Sequence, residues 1–203
     1  MIRKGFTKKQ ILYLGFKRFL DLFVTFFAII ILTPFLLLIG ILVVFTSKGP
    51  VFFRQKRVGR DKKVFRILKF RTMKVDAPEI PPSNLTKEQQ RAMLTNIGAF
   101  LRKTSIDELP QIYNIFIGQM SLIGPRPAAA KNEDDIINGR DQYLPSPNSL
   151  RPGLSGYAQT HGRNHEVQQK AELDAYYAKN VSFVLDVKIF FLTIKKIFLF
   201  EGS

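Results

Sequence analysis

Cysteine and tryptophan are absent from the 203 residues, histidine occurs twice, and acids are outnumbered, with 16 Asp and Glu against 31 Lys and Arg. Without cysteine there are no disulfides, thiolate metal ligands or cysteine nucleophiles, and the chain suits a reducing compartment. His161 and His165 stand four apart but lack the third nitrogen or sulfur ligand of a zinc site, so they read as polar loop groups. The shortage of acids leaves a net charge of +15. An excess of that size calls for an anionic partner: nucleic acid, an acidic membrane surface or phosphorylated substrates. There is no internal repeat and no low-complexity tract, and the length suits one domain with a real core.

Phenylalanine, by contrast, is abundant at 19 residues. From Leu22 to Phe45 no charged residue occurs, a run long enough at ~1.5 Å per residue to cross a hydrocarbon layer of ~30 Å. A plain spanning helix is the simplest reading, and a cleavable signal peptide fits poorly because no A-x-A-like site follows. Two features favour a re-entrant helix instead. Pro34 lacks the backbone donor and crowds the preceding turn, so a bend is expected at Thr33-Pro34, where the Thr33 hydroxyl is available to a freed carbonyl. Both flanks are also basic, Lys8, Lys9, Lys17 and Arg18 before the run and Lys48, Arg54, Lys56 and Arg57 after it. The positive-inside rule draws both ends to the cytoplasmic face, which only a helix that enters and leaves on one side satisfies.

The last segment, Val181 to Phe200, repeats Phe183, Val184, Val187, Phe190, Phe191, Ile194 and Phe198 at helical spacing, with Lys188, Lys195 and Lys196 opposite. It reads either as an interfacial amphipathic helix or as a core-packing helix with a solvated face, and its phenylalanines favour the membrane surface. Between the ends, Val51–Phe53 and Val64–Leu68 around Gly59-Arg60-Asp61 predict a β-hairpin. Thr86 with Gln89 caps a helix expected over 87–101. Ser105 with Glu108 reads as a second capping box, opening a helix to about Phe116 that stops at Gly118. Loops are expected at 124–127 and 151–164, and a helix over 166–179. The fold class is mostly α with a small β-hairpin, an α+β arrangement: a basic N-terminal segment and re-entrant membrane helix over 1–47, then a compact cytosolic catalytic domain over 48–203 that includes the interfacial C-terminal helix.

Several groups are candidates for chemistry. Asp107 and Glu108 are adjacent in a predicted first turn, ~100° apart around the axis, so they serve different roles. They act either as simple complements of the helix dipole or as a Mg²⁺ ligand and a nucleophile toward phosphorus. Arg126 lies between two φ-locked prolines, which suits bidentate phosphate contact or a plain surface turn. Arg151 to Arg163 combines glycines with arginines, as an anion nest or an ordinary loop does.

Taken in order, Lys69-Phe-Arg-Thr-Met73, Ser105-Ile-Asp-Glu-Leu-Pro-Gln111, Met120-Ser-Leu-Ile-Gly-Pro-Arg-Pro127, Arg151-Pro-Gly153 and Gly156-Tyr-Ala-Gln159 with Gly162-Arg163 resemble the bacterial sugar transferases. These are small monotopic polyprenyl-phosphate phosphoglycosyl transferases, and the resemblance covers nearly the whole chain. It implies a phospho-sugar moved from a UDP-sugar to polyprenyl (undecaprenyl) phosphate with release of UMP, at the start of capsule, O-antigen or other bacterial glycan assembly. It also implies Asp107 as nucleophile and Mg²⁺ ligand, Glu108 acting on the acceptor, and Lys69 and Arg126 on phosphate. Arg151, Gln159 and Arg163 are implied at the donor, and Thr33-Pro34 at the bend of the membrane helix. The implied setting is the cytoplasmic face of the bacterial inner membrane, with membrane lipids and downstream glycosyltransferases as partners and no nucleic acid. Two positions depart from the family pattern: Ser155, where Thr is common, and Gln119, where an acid often precedes Met-Ser. The rival expectation, from charge alone, is a membrane-associated polyanion-binding protein without catalysis. Its nucleic-acid form needs aromatic platforms among the basic residues, whereas the phenylalanines here cluster in apolar helices.

Overall fold

A computed structural model describes residues 4–77, 86–130, 133–161 and 166–198. One helix dominates it: α1, Lys8–Thr46, opened by a Thr7/Gln10 capping box. Pro34 lies inside α1 without ending it. Thr33 Oγ1 is 2.6 Å from the Ile29 carbonyl and 3.1 Å from the Tyr113 hydroxyl. The hydroxyl therefore serves the carbonyl four residues before Thr33 rather than that of Ile30, which loses its partner at Pro34. At 39 residues α1 is about 58 Å long, long and apolar enough to cross a membrane. Phe16, Phe19, Phe23, Ile31, Leu37 and Phe45 are exposed along it.

The opposite side of α1 is packed from end to end. Leu14 joins Ile123, Leu150, Tyr177, Val181 and Ile189 in one core, and Leu36, Ile39 and Val43 join Phe70, Leu101 and Ile112 in another. Each such side chain fully removed from water contributes about 1.5–3 kcal/mol. Polar anchors reinforce the seam. Lys17 Nζ and Tyr13 Oη are each 2.5 Å from Asp186 Oδ2, Arg18 donates to the Ile115 and Phe116 carbonyls, and Asp21 accepts the Leu122 N–H. The 1–47 segment thus shares its cores with the rest of the chain.

The hairpin forms as β1, Phe52–Val58, and β2, Val64–Phe70, paired from Phe52↔Phe70 to Val58↔Val64. It is longer than expected and is turned by a 3₁₀ segment, Arg60–Lys62. Thr86 and Gln89 form their capping box, but α2 ends early, at Lys87–Ala92. The chain is held extended there, with the Lys74 N–H donating to Met93 and the Thr95 N–H to Thr72, and Thr95 caps a separate helix, α3, Asn96–Lys103. The second predicted box does not form. Ser105 is left-handed at φ 58° with no capping bond, Ile106–Glu108 is a 3₁₀ turn, and α4 is confined to Gln111–Phe116 behind Pro110. A residue at positive φ cannot adopt the extended cap geometry. Gly118, φ +89°, stops α4 as expected.

Beyond α4, β3 (Ser121–Ile123), β4 (Ala128–Ala129) and α5 (Asp134–Asp141) lead to β5 (Gly153–Ser155) and α6 (Tyr157–Thr160). β4 extends the hairpin sheet beside β1, and β3 pairs parallel with β5. The 151–164 stretch is therefore not a loop throughout. Its Gly153 and Gly156 are buried against Gly124, where a Cβ on either would lie 2.1 Å from that residue's backbone, and the Gly153 N–H is taken by the Pro125 carbonyl. These two glycines permit close packing on Gly124, and the Gly162-Arg163 part of the expected anion nest lies outside the described residues. Two helices close the fold, α7, Val167–Asn180, and α8, Phe183–Phe198. Asp186 and Ile189 of α8 face inward while Phe183, Val184, Phe190 and Phe191 are exposed.

Candidate active site

β2 delivers Lys69 and the 3₁₀ turn delivers Asp107 and Glu108, and the two segments meet: Lys69 Nζ is 2.5 Å from Glu108 Oε1. Asp107 is buried, 8% exposed, whereas the Glu108 side chain is 39% exposed. The adjacent carboxylates therefore differ in solvation as well as direction. Burial pushes the Asp107 carboxyl up to about 6, with Glu108 raising it further while Lys69 and Arg102 pull it down. Ser105, two residues before Asp107, is left-handed at φ 58°, a local strain of the sort that persists at functional sites.

Two arginines not singled out in the sequence belong to this neighbourhood. Arg102 of α3 donates from Nε to Thr72 Oγ1 at 2.9 Å, and its charge favours the ionised Asp107. Arg57 of β1 lies on the Lys69 face of the hairpin, because it pairs with Phe65 as Phe53 pairs with Lys69. Its guanidinium donates to the Pro127 carbonyl at 3.1 Å and to Gln55 Oε1 at 2.6 Å. Burial lowers its pKa, Glu133 and Glu108 raise it, and Arg126 lowers it. Strand periodicity carried the signal for Arg57, but only once the register was known. For Arg102 nothing local distinguished it from Lys103.

Arg126 presents an exposed side chain on the turn between β3 and β4, close enough for its charge to lower the Arg57 pKa. Arg151 Nε is 2.9 Å from the Gly118 carbonyl, and Arg151 lines a small cavity with Lys17, Arg18, Asp21, Leu150 and Tyr177. Gln159 sits on α6, its Nε2 3.3 Å from the Leu154 carbonyl and its Oε1 buried without a hydrogen-bond partner among the described residues. Arg163 and His165 lie outside the described residues. His161 ends α6, stacked on Tyr157 with centroids 3.8 Å apart. Gln119, one of the departures from the family pattern, accepts from Asn114 Nδ2 at 2.7 Å. Asn114 in turn bonds the Arg66 carbonyl and the Leu68 N–H, tying α4 to β2.

The arrangement offers a desolvated carboxylate, a second and more exposed carboxylate, and cations from three elements, which is equipment for handling phosphate groups. Among the described residues no cluster of three or more His, Asp or Glu forms a complete protein cage for a metal. Two neighbouring carboxylates still suit Mg²⁺, which takes one or two protein carboxylates and completes its shell with substrate phosphates and water.

Comparison with known proteins gives this geometry a family. Over 194 residues the chain is 40% identical to a UDP-glucose:undecaprenyl-phosphate glucose-1-phosphate transferase from Klebsiella pneumoniae, covering 93% of this chain and 41% of that protein. It is 38% identical over 190 residues to a UDP-N-acetylgalactosamine-undecaprenyl-phosphate N-acetylgalactosaminephosphotransferase from Aeromonas hydrophila, covering 92% of this chain and 44% of that protein. The chain thus spans less than half the length of these two relatives. With the exopolysaccharide production protein PSS of Rhizobium leguminosarum bv. phaseoli it shares 35% identity over 191 residues, 88% of this chain and 92% of that one. Residues 12–200 match the family profile described as bacterial sugar transferase, and the chain belongs to that family.

Proposed function

We propose that the protein transfers a sugar-1-phosphate from a UDP-sugar to polyprenyl phosphate through a covalent intermediate on Asp107. The observation that carries this reading is the inequality of the paired carboxylates, Asp107 buried with a raised pKa and Glu108 only half-buried, against Lys69. A carboxylate that has lost much of its hydration is a better nucleophile than a solvated one, and a pKa near 6 leaves it ionised at neutral pH. An Asp107 oxygen attacks the β-phosphorus, the bond from that phosphorus to the bridging oxygen breaks, and UMP leaves with the electron pair. An oxygen of polyprenyl phosphate then attacks the same phosphorus, giving polyprenyl-diphospho-sugar and restoring the carboxylate. Glu108, more exposed and on a different bearing, takes the acceptor's proton or orients it. Lys69 and Arg126 hold the phosphate oxygens. Asp107, with Glu108 beside it, would hold Mg²⁺, whose role is to neutralise charge on the diphosphate.

The named activities of the relatives support this class of reaction, and their different sugars leave the sugar to experiment. A re-entrant seat at the cytoplasmic face of the inner membrane belongs to the same reading. Its support is that α1 packs on one body both before Pro34, through Leu14, Lys17 and Asp21, and after it, through Leu36, Ile39 and Val43. A helix crossing ~30 Å of hydrocarbon would have to carry that body with it. The exposed phenylalanines of α1 and α8 are then the lipid-facing surface. Incubating the detergent-solubilised protein with Mg²⁺, polyprenyl phosphate and a panel of UDP-sugars tests the proposal. Release of UMP with one sugar and appearance of lipid-diphospho-sugar is expected. Binding of UDP-sugars without UMP release would overturn it.

A further inference from the structure

The turn that carries Arg126 is held at three successive carbonyls. The Pro125 carbonyl accepts the Gly153 N–H at 2.9 Å, the Arg126 carbonyl accepts Arg140 Nη2 at 2.8 Å, and the Pro127 carbonyl accepts Arg57 Nη1 at 3.1 Å. Proline fixes φ at 125 and 127 but leaves ψ free, so the ring constraint alone does not set the peptide planes. Three bonds from three different elements do. Once those planes are fixed, so is the direction in which the Arg126 side chain leaves the backbone.

The middle bond comes from an unusual donor. Arg140 of α5 is 4% exposed, and its charge is met by Asp174 of α7, 1% exposed. Arg140 Nε and Nη2 both converge on Asp174 Oδ2, at 3.0 and 2.5 Å, and Oδ1 has no hydrogen-bond partner among the described residues. Burial raises the Asp174 carboxyl and Arg140 draws it back. As a fastener between two helices this is a poor choice, since a buried ion pair is commonly no better for stability than a packed apolar pair. What an apolar pair cannot do is donate to the Arg126 carbonyl.

We propose that Arg140 and Asp174 are positioning residues for donor binding: Asp174 orients and neutralises Arg140, and Arg140 fixes the Arg126 peptide so that its guanidinium meets the phosphates. The inference rests on the proposed role of Arg126 at the donor and adds the device that aims it. Neither residue touches the substrate.

The test is a double-mutant cycle on donor-dependent UMP release by the full chain, with thermal unfolding measured alongside. The paired change Arg140→Met with Asp174→Leu removes both charges together. It is expected to keep the fold and to lower kcat/KM for the donor by about tenfold or more, the scale of one lost charge-assisted hydrogen bond, chiefly as a higher KM. In an Arg126→Ala background the same pair of changes should cause almost no further loss, because its route to the substrate is already gone. Should the paired variant not fold, Arg140→Lys carries the same cycle, since an ammonium keeps the charge but not the planar fork that bridges Asp174 and the carbonyl. Equal losses in both backgrounds would overturn the proposal while leaving Arg126 at the donor, as would unchanged KM in the paired variant. An Arg126→Ala enzyme with undiminished turnover would remove the underlying reading and this one with it.

Discussion

Glu108 is bonded to Lys69 at 2.5 Å, while Asp107, its neighbour in sequence, is turned into the protein. The two acids of one short turn therefore meet different surroundings, which is why they can serve different halves of a reaction. Glu108→Gln keeps the shape and a weaker bond to Lys69 but cannot take up a proton. Expected is a burst of one equivalent of UMP, followed by a stall in lipid product. Steady turnover at the normal rate would show that the acceptor step does not use Glu108.

The raised pKa of Asp107 sets a pH profile. Attack needs the ionised carboxylate, so the rate of the donor half-reaction should rise as pH passes through about 6 and level off above 7. Protonation below that point removes the nucleophile. A rate independent of pH between 5 and 8 would contradict the assignment.

The same shift bears on stability, with the opposite sense. A carboxyl whose pKa is raised on folding favours the protonated folded state, so ionising Asp107 destabilises the protein progressively as pH climbs from about 4 through about 6. Asp107→Asn removes that charge. The variant is expected to be more stable than the parent at pH 7.5, by on the order of 1–3 kcal/mol, with the difference vanishing near pH 4. Thermal unfolding across that range checks it, and a variant less stable at pH 7.5 would show that the carboxylate is a structural partner.

Membrane seating gives a fourth expectation. Cysteines placed singly at Lys9 and Lys63, on either side of the apolar run, should be equally shielded from an impermeant thiol reagent in intact cells and equally labelled after lysis. Labelling of one site only in intact cells would establish a spanning helix.

The seam between α1 and α8 is also testable. Lys17 and Asp186 are almost fully buried and 2.5 Å apart. Lys17→Met leaves Asp186 with the Tyr13 and Tyr177 hydroxyls but no cation. A loss of about 2–4 kcal/mol is expected, less than the full cost of an unpaired buried charge because those hydroxyls remain. An unchanged unfolding transition would mean that the hydroxyls alone suffice.

What could be read in advance follows the range of the forces involved. The β1–β2 hairpin and the Thr86–Gln89 cap depend on neighbours a few residues away, and alternation and capping chemistry disclosed them. Ser105 misled because the cap residue type was right while its backbone, held in the left-handed region, was not. The β3–β5 pairing joins two three-residue strands about thirty residues apart, too short for any periodicity to register. Within the site, Asp107 and Glu108 were marked by their adjacency in a predicted first turn and Lys69 by motif order, and the Lys69–Glu108 contact was not predictable from spacing. Arg57 and Arg102 were ordinary members of basic stretches, and Arg140 a lone cation in an acidic one, until strand register and helix packing turned them inward.

The central claim is the bond formed at Asp107. After incubation with the productive UDP-sugar and Mg²⁺ but no lipid acceptor, mass spectrometry of the intact protein and its peptides measures it directly. The account predicts one added sugar-phosphate, located on the peptide containing Asp107, absent from Asp107→Asn and discharged when polyprenyl phosphate is supplied. An adduct that persists in Asp107→Asn, or normal turnover by that variant, would contradict it.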